Sequence, residues 1–443
     1  MTDRPQMPGN MPNAYQPGKG ALSADDLALV ARRQKVLGPA YRLFYETPVH
    51  LVRGEGVWLY DPDGNAYLDT YNNVASVGHC HPRVVEALAR QAGQFASHTR
   101  YLHDGVLAYA ERLLTHFPAE LGHVMFTCTG SEANDLALRI AAAHTGGTGL
   151  IVTENAYHGV TSATAAMSPS LGPGVDLGMH VRCVPAPDPA RMTGDLGAAF
   201  AAAVQGAIDD LLLHGIKPAA MIVDTVFSSD GVFADPAGFL APAVAAVQAA
   251  GALFIADEVQ PGFGRTGAAM WGFQRHGILP DMVSLGKPMG NGYPVAGLVL
   301  RPGVIEAFGA RARYFNTFGG NAVAAATAMA VLEVIEDEGL MQNAARVGAQ
   351  FRAGLEDLAG RHDALGPIRA AGLFLGAEIV QAGDPLRPDP TRAARIVNHL
   401  RQARVLISAT GPRGNVLKIR PPLVFSKDNV DFFLERLDAA LKA

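Results

Sequence analysis

Residues 282–293 read MVSLGKPMGNGY. Met282-Val283-Ser284-Leu285 has the texture of a buried strand, and the chain then turns through Gly286, Lys287, Pro288 and two further glycines. A lysine is out of place there unless it has a use. The chain has only seven lysines, none between Lys35 and Lys217, and a solubilising lysine belongs on a polar helix face. The glycines let a ligand come close to the backbone. GKP is no nucleotide loop, because Pro288 stands where Ser or Thr is required and the G-x-x-x-x-G-K spacing is absent. A lysine desolvated at a strand end is a better nucleophile and proton carrier, because burial favours its neutral form.

The same texture repeats on either side. Short apolar runs at 123–126, 149–152, 220–223, 252–255 and 295–300 alternate with helical patterns. Near-continuous apolar strands separated by helices predict a mostly parallel sheet covered on both faces, an α/β fold. Before it, 57–60 and 66–69 flank the turn Asp61-Pro62-Asp63-Gly64-Asn65 and, with 50–53, predict a small antiparallel sheet. After it, a long Ala-rich helix from about Ala322 leads to mixed helices and strands such as 373–378. The expected organisation is a flexible arm (1–23), the N-terminal segment of a small domain (24–79), a large domain (80–325), and the C-terminal small domain (326–443), which shares a sheet with the N-terminal segment.

At 443 residues the chain is long enough for a large core and two domains. Its formal net charge of −5 and lack of a Lys/Arg cluster argue against nucleic acid as a partner. Cys80, Cys128 and Cys183 are widely spaced and include no CxxC, so neither a disulfide framework nor a metal site is indicated. No apolar run in the sequence reaches membrane-spanning length, and the Pro-, Gly- and Gln-rich start lacks the apolar segment of a signal peptide. A cytoplasmic enzyme acting on small molecules is the expectation.

Two further constellations bear on Lys287. Thr127-Cys128-Thr129-Gly130-Ser131-Glu132-Ala133-Asn134 follows a strand and opens a helix whose apolar residues share one face. Gly130 permits a tight turn, and Ser131 either caps the helix or offers its hydroxyl and amide to a phosphate at the positive end of the dipole. Phe254-Ile255-Ala256-Asp257-Glu258 puts a carboxylate at the C-terminal edge of a parallel sheet, where ligands bind in such folds, although an acid there also caps helices. A lysine, a carboxylate and a glycine/serine helix start are three of the groups that pyridoxal 5′-phosphate (PLP) requires. They hold its aldehyde as a Schiff base, keep its ring nitrogen protonated and bind its phosphate.

Together with these, AYHG at 156–159, LFIADEVQPGFGRTG at 253–267, PDMVSLGKPMGNGYP at 280–294 and FNTFGGN at 315–321 make the chain resemble the class III aminotransferases of PLP fold type I. The match runs in order over nearly the whole chain after the arm. It implies a large domain with a mostly parallel seven-stranded sheet plus a smaller α+β domain. It implies that Lys287 carries the cofactor and shuttles the proton, and that Asp257 pairs with the ring nitrogen. Gly130 and Ser131 then bind the phosphate, Tyr157 and Val259 pack on opposite ring faces, Gln260 lies near the ring hydroxyl and His158 orients the loop. Asp224 belongs to the same cofactor site. Thr317 reaches the phosphate of the neighbouring subunit's cofactor, which implies a homodimer with shared active sites.

Some positions depart from the family pattern. Many relatives carry Glu-Pro where this chain has Asp224-Thr225, and the shorter acid leaves more room. In Val416-Leu417-Lys418-Ile419-Arg420-Pro421-Pro422, many relatives carry Arg in place of Lys418 and a small residue in place of Arg420. In a strand these two cations share a face, which suits a phosphate or carboxylate on the substrate, although a salt-bridged strand at the dimer surface reads the same way. With Arg413 nearby, TYNN at 70–73 (including Tyr71) and YLHDG at 101–105, this region is similar to the ethanolamine-phosphate phospho-lyase branch. Arg369 is a further anion-site candidate or a structural residue. The resemblance therefore implies an aminotransferase moving an amino group between a primary amine or amino acid and a keto acid such as pyruvate. The alternative is a phospho-lyase eliminating phosphate and ammonia from O-phosphoethanolamine or a similar amino phosphate. An inert PLP-fold binder would have no need of the Lys287/Asp257 pair.

Overall fold

The computed structural model describes Met11 and residues 13–443. Its centre is a seven-stranded sheet of β1 (His123–Thr127), β2 (Gly149–Thr153), β3 (Val181–Val184), β4 (Pro218–Asp224), β5 (Leu253–Asp257), β6 (Met282–Leu285) and β7 (Ala296–Leu300). The spatial order is β1-β7-β6-β5-β4-β2-β3. Only β7 runs against its neighbours, pairing antiparallel with both β1 and β6. Six of the seven strands match apolar runs read from the sequence, β6 being the Met282 run itself. The short edge strand β3 (VRCV) was not foreseen, because Arg182 and Cys183 interrupt any apolar run.

Strands β2, β5, β6 and β7 are buried at every residue, the pattern of a sheet covered on both faces. On one face the helix Gly130–Thr145 packs Leu136, Ala137, Ile140 and Ala141 against Ile222, Ile255 and Leu298. On the other, the helix Leu196–Leu213 contributes Phe200, Val204 and Ile208 to the core that also holds Met221 and Phe254. This helix corrects one expectation, since by length and composition it is apolar enough to cross a membrane. Its apolar face is instead laid against the sheet and the helix Ala241–Ala249.

Two smaller sheets complete the molecule. Strands Arg53–Glu55, Trp58–Tyr60 and Ala66–Asp69 pair antiparallel, and the last takes Val405–Leu406 as a parallel neighbour. N- and C-terminal segments therefore share a sheet, as expected. The run 50–53 begins a strand only at Arg53. The third sheet contains Leu365–Ala371, Phe374–Gln381, Val416–Ile419 and Ser408–Thr410, with Asp384–Pro388 beside the second of these.

The expectation of a flexible arm over 1–23 needs correction where it can be examined. Residues 1–10 and 12 lie outside the described residues. Asn13, however, is buried, its carbonyl accepts the Tyr45 N–H at 2.6 Å, and its side chain accepts the Ser408 hydroxyl at 2.9 Å. These bonds, with the Tyr15 N–H donated to the Leu43 carbonyl at 2.8 Å, tie this segment to the body.

Candidate active site

Three neighbouring parallel strands deliver the reactive groups to one edge. β4 ends at Asp224, β5 at Asp257, and Lys287 follows β6 by two residues. The register pairs Asp224 with Asp257, and Asp257 with Ser284. β1 points the same way, so the helix start at Gly130 opens at this edge too. A cleft of about 340 Å³ lies there. Gly130, Ser131, Tyr157, His158, Asp257, Val259, Gln260 and Lys287 all line it, so eight residues proposed from sequence converge. A cavity of about 400 Å³ between residues 11–17 and the helix Ala24–Leu37 contains none of the proposed residues.

The Nζ of Lys287 makes no hydrogen bond or ion pair among the described residues. Burial pushes its ammonium down to about 8; the charge of Arg420 adds to this, while Asp257 and Asp224 oppose it. The amine is thus poised to lose its proton near neutral pH.

Burial pushes the Asp257 carboxyl up, but its partners more than offset that and hold it below the ordinary value. Its Oδ2 lies 2.7 Å from His158 Nδ1 and accepts from Asn134 Nδ2 at 3.0 Å, while Oδ1 accepts the Val259 N–H at 3.1 Å. Asn134 also donates to the His158 carbonyl at 2.8 Å, which locks helix, loop and strand end together. Sequence reasoning missed Asn134 as a site residue. The available signal was an amide on the buried face of a helix otherwise filled by Ala, Leu and Ile.

The helix start leaves Ser131 out of the cap. Thr129, not Ser131, caps the helix: its hydroxyl accepts the Glu132 N–H at 3.2 Å, and the Glu132 carboxylate accepts the N–H groups of Cys128 and Thr129. The Ser131 hydroxyl accepts the Val160 N–H at 3.1 Å and retains its own proton to donate. Among the described residues no acceptor meets the amides of Gly130 and Ser131, which leaves a positive helix end facing the cleft. A Cβ at Gly130 would stand 2.8 Å from the Val259 side chain, so only glycine lets the backbone pass so close.

Tyr71, Asp224, Thr317, Arg369, Arg413, Lys418 and Arg420 stand apart from the cleft lining. Asp224 turns its carboxylate onto the N–H groups of Val226 (3.0 Å) and Ser228 (3.3 Å), and burial raises its pKa against the pull of Lys418. The Gln260 amide oxygen accepts from Arg420, so Gln260 serves this guanidinium in addition to lining the cleft. Arg420 also donates to Asn73 Oδ1 at 3.1 Å and lies over the Tyr71 ring, its guanidinium carbon 4.3 Å from the centroid. Lys418 is buried, not at a solvated surface. Burial and then Arg420 push its ammonium well below the ordinary value. Arg369 takes the structural role: it donates to Glu378 (2.9 Å) and to the Gly231 carbonyl (2.9 Å). Arg413 is exposed in the loop before Val416–Ile419. Thr317 is exposed outside the cleft; Asn316 beside it approaches Cys128 Sγ at 3.8 Å.

The family model of the class-III aminotransferases matches residues 44–441. The chain belongs to this family. A Drosophila melanogaster protein named alanine–glyoxylate aminotransferase 2-like is 40% identical, covering 91% of this chain and 84% of that one. A Caenorhabditis elegans protein named ethanolamine-phosphate phospho-lyase homolog 1 is 35% identical, covering 93% of each. Among solved structures, a phospholyase from Arthrobacter in complex with phosphoethanolamine superposes with a TM-score of 0.91 at 42% identity, covering 94% of this chain and 99% of that one.

Class III aminotransferases use PLP, and the residues present fit it. Among the described residues Lys287 offers an unpartnered, half-buried amine, Asp257 a carboxylate kept ionised, and Gly130 and Ser131 unpartnered amides for the phosphate. Tyr157 and Val259 supply cleft walls for the ring.

Proposed function

We propose that the protein moves an amino group between a primary amine or amino acid and a keto acid such as pyruvate, and that Lys287 carries the proton. The observation behind this reading is the Lys287 amine, half-buried and unpaired among the described residues, at the same sheet edge as the ionised Asp257. When bound, PLP supplies an aldehyde for an amine to condense with and a ring that stores an electron pair. Lys287 would be the residue that holds the cofactor, and with a substrate amine in its place its free Nζ would take the proton from the carbon next to nitrogen. Asp257, held by His158 and Asn134, keeps a negative charge where the ring nitrogen needs one. The neutral walls of Tyr157 and Val259 keep water from the reacting carbon.

Specific observations favour a second reading, elimination of phosphate. Lys418 and Arg420 are buried side by side with no carboxylate in ion-pair range among the described residues, and their joint charge suits a phosphate. If the substrate carries phosphate on the neighbouring carbon, the C–H electron pair becomes a C=C bond, the C–O bond breaks and phosphate leaves with that bond's electrons. Water then releases ammonia from the unsaturated amine. The similarity to the Arthrobacter phospholyase supports keeping this alternative.

The working unit we propose is a homodimer. The loop around Thr317 lies beside the phosphate-binding turn, and Leu102 (99% exposed) and Phe318 (70% exposed) leave apolar surface for a second copy to cover.

Incubation with an amine plus pyruvate should give alanine. Incubation with phosphoethanolamine separates the readings: release of phosphate and ammonia with no alanine from the first mixture makes the enzyme a phospho-lyase.

A further inference from the structure

Arg420 is 7% exposed, yet every group that holds it is neutral. Its backbone N–H donates to the Thr70 carbonyl at 2.8 Å. Its Nη1 donates to Asn73 Oδ1 at 3.1 Å and to Gln260 Oε1, and the Tyr71 ring lies against its face. Its Nε is buried and has no acceptor among the described residues. Asn73, 1% exposed, also donates from Nδ2 to the Gln260 carbonyl at 3.3 Å, so its amide is fixed at both ends. Two residues earlier stands Lys418, 5% exposed, whose ammonium makes no ion pair or hydrogen bond among the described residues.

Burying the Arg420 guanidinium among neutral partners alone is strongly unfavourable. An acid in place of Asn73 or Gln260 would remove that penalty in the resting protein, and both positions carry amides instead. The counter-charge is therefore left to the ligand. A phosphate monoester, with nearly two negative charges near neutral pH, supplies more counter-charge to Arg420 than a carboxylate does.

We propose that Asn73 is a specificity-determining positioning residue: by holding the Arg420 guanidinium with a neutral amide oxygen, it keeps that charge available, beside Lys418, for a phosphate on the amine substrate. This rests on the reading of the Lys287 cleft as the amine site.

The test uses the PLP-loaded enzyme and Asn73→Asp, which sets a carboxylate beside Arg420. Inorganic phosphate, titrated calorimetrically, should bind about ten- to hundredfold more weakly than to wild type, the factor for one lost charge-assisted hydrogen bond. KM for phosphoethanolamine should rise by a similar factor with a smaller change in kcat. The ratio of kcat/KM for phosphoethanolamine over propylamine should fall. Gln260→Glu, which puts the acid on the other acceptor, should reproduce the loss of phosphate binding if Asn73→Asp does not fold. Phosphate binding equal to wild type in the folded variant, or an equal loss for both amines, overturns the assignment. A wild-type protein without a visible PLP absorbance band would instead overturn the reading of the Lys287 cleft.

Discussion

His158 Nδ1 lies 2.7 Å from Asp257 Oδ2, and both side chains are buried. A carboxylate so placed stays ionised where burial alone would protonate it. Asp257→Asn keeps the shape and removes the charge. It should still bind PLP but lose about 3–4 kcal/mol of transition-state stabilisation, the scale of one preorganised electrostatic group. Single-turnover kinetics with an amine donor measure this, and wild-type rates in the variant would make Asp257 structural.

The Lys287 amine gives a pH dependence of definite sign. Below its pKa the Nζ holds a proton and cannot attack an aldehyde, and above it the amine is neutral. Burial brings that point down to about 8 from 10.5. The rate at which apoprotein captures PLP, followed by absorbance, should therefore rise with pH and level off above about 8. A rate still climbing toward pH 10 would mean that Lys287 is solvated.

Lys418 is buried with no ion pair among the described residues, and burial holds its ammonium well below its ordinary value. Lys418→Met keeps the length of the side chain without the charge. By the precedent of apolar replacements for buried ions, ligand-free protein should gain up to about 1–4 kcal/mol. Calorimetric melting checks this, and a lower Tm would show that Lys418 has a partner in the folded state.

A shared active site makes a prediction about mixtures. Lys287→Ala and Thr317→Ala subunits should each be inactive alone. Unfolded and refolded together, they should recover part of the wild-type activity, because hybrid dimers contain one site free of both changes. No recovery, together with a fully active monomer, would contradict the dimer proposal.

The parts of this molecule that were legible in the sequence are those written locally. β6 and the Lys287 turn, β5 and Asp257, and the helix start at Gly130 each announce themselves within about ten residues. There the strand period, the turn glycines and a single polar residue coincide. The residues that sequence reasoning missed or left open act across the chain. Asn134 meets Asp257 over a separation of 123 residues, and Asn73 meets Arg420 over 347. Nothing near Arg369 in sequence reveals that Glu378 on the adjacent strand and the Gly231 carbonyl already hold it. Ser131 and Thr129 are equally good caps by composition. Which of them caps, and which is left for the phosphate, depends on where the Glu132 carboxylate turns back.

The central claim is that Lys287 carries the cofactor, and one measurement tests it directly. PLP-loaded protein is reduced with borohydride, digested, and the pyridoxyl-bearing peptide sequenced by mass spectrometry. The account predicts the label on Lys287, within MVSLGKPMGNGY, and none in Lys287→Ala. A label on any other lysine, or an undiminished label in that variant, would contradict it.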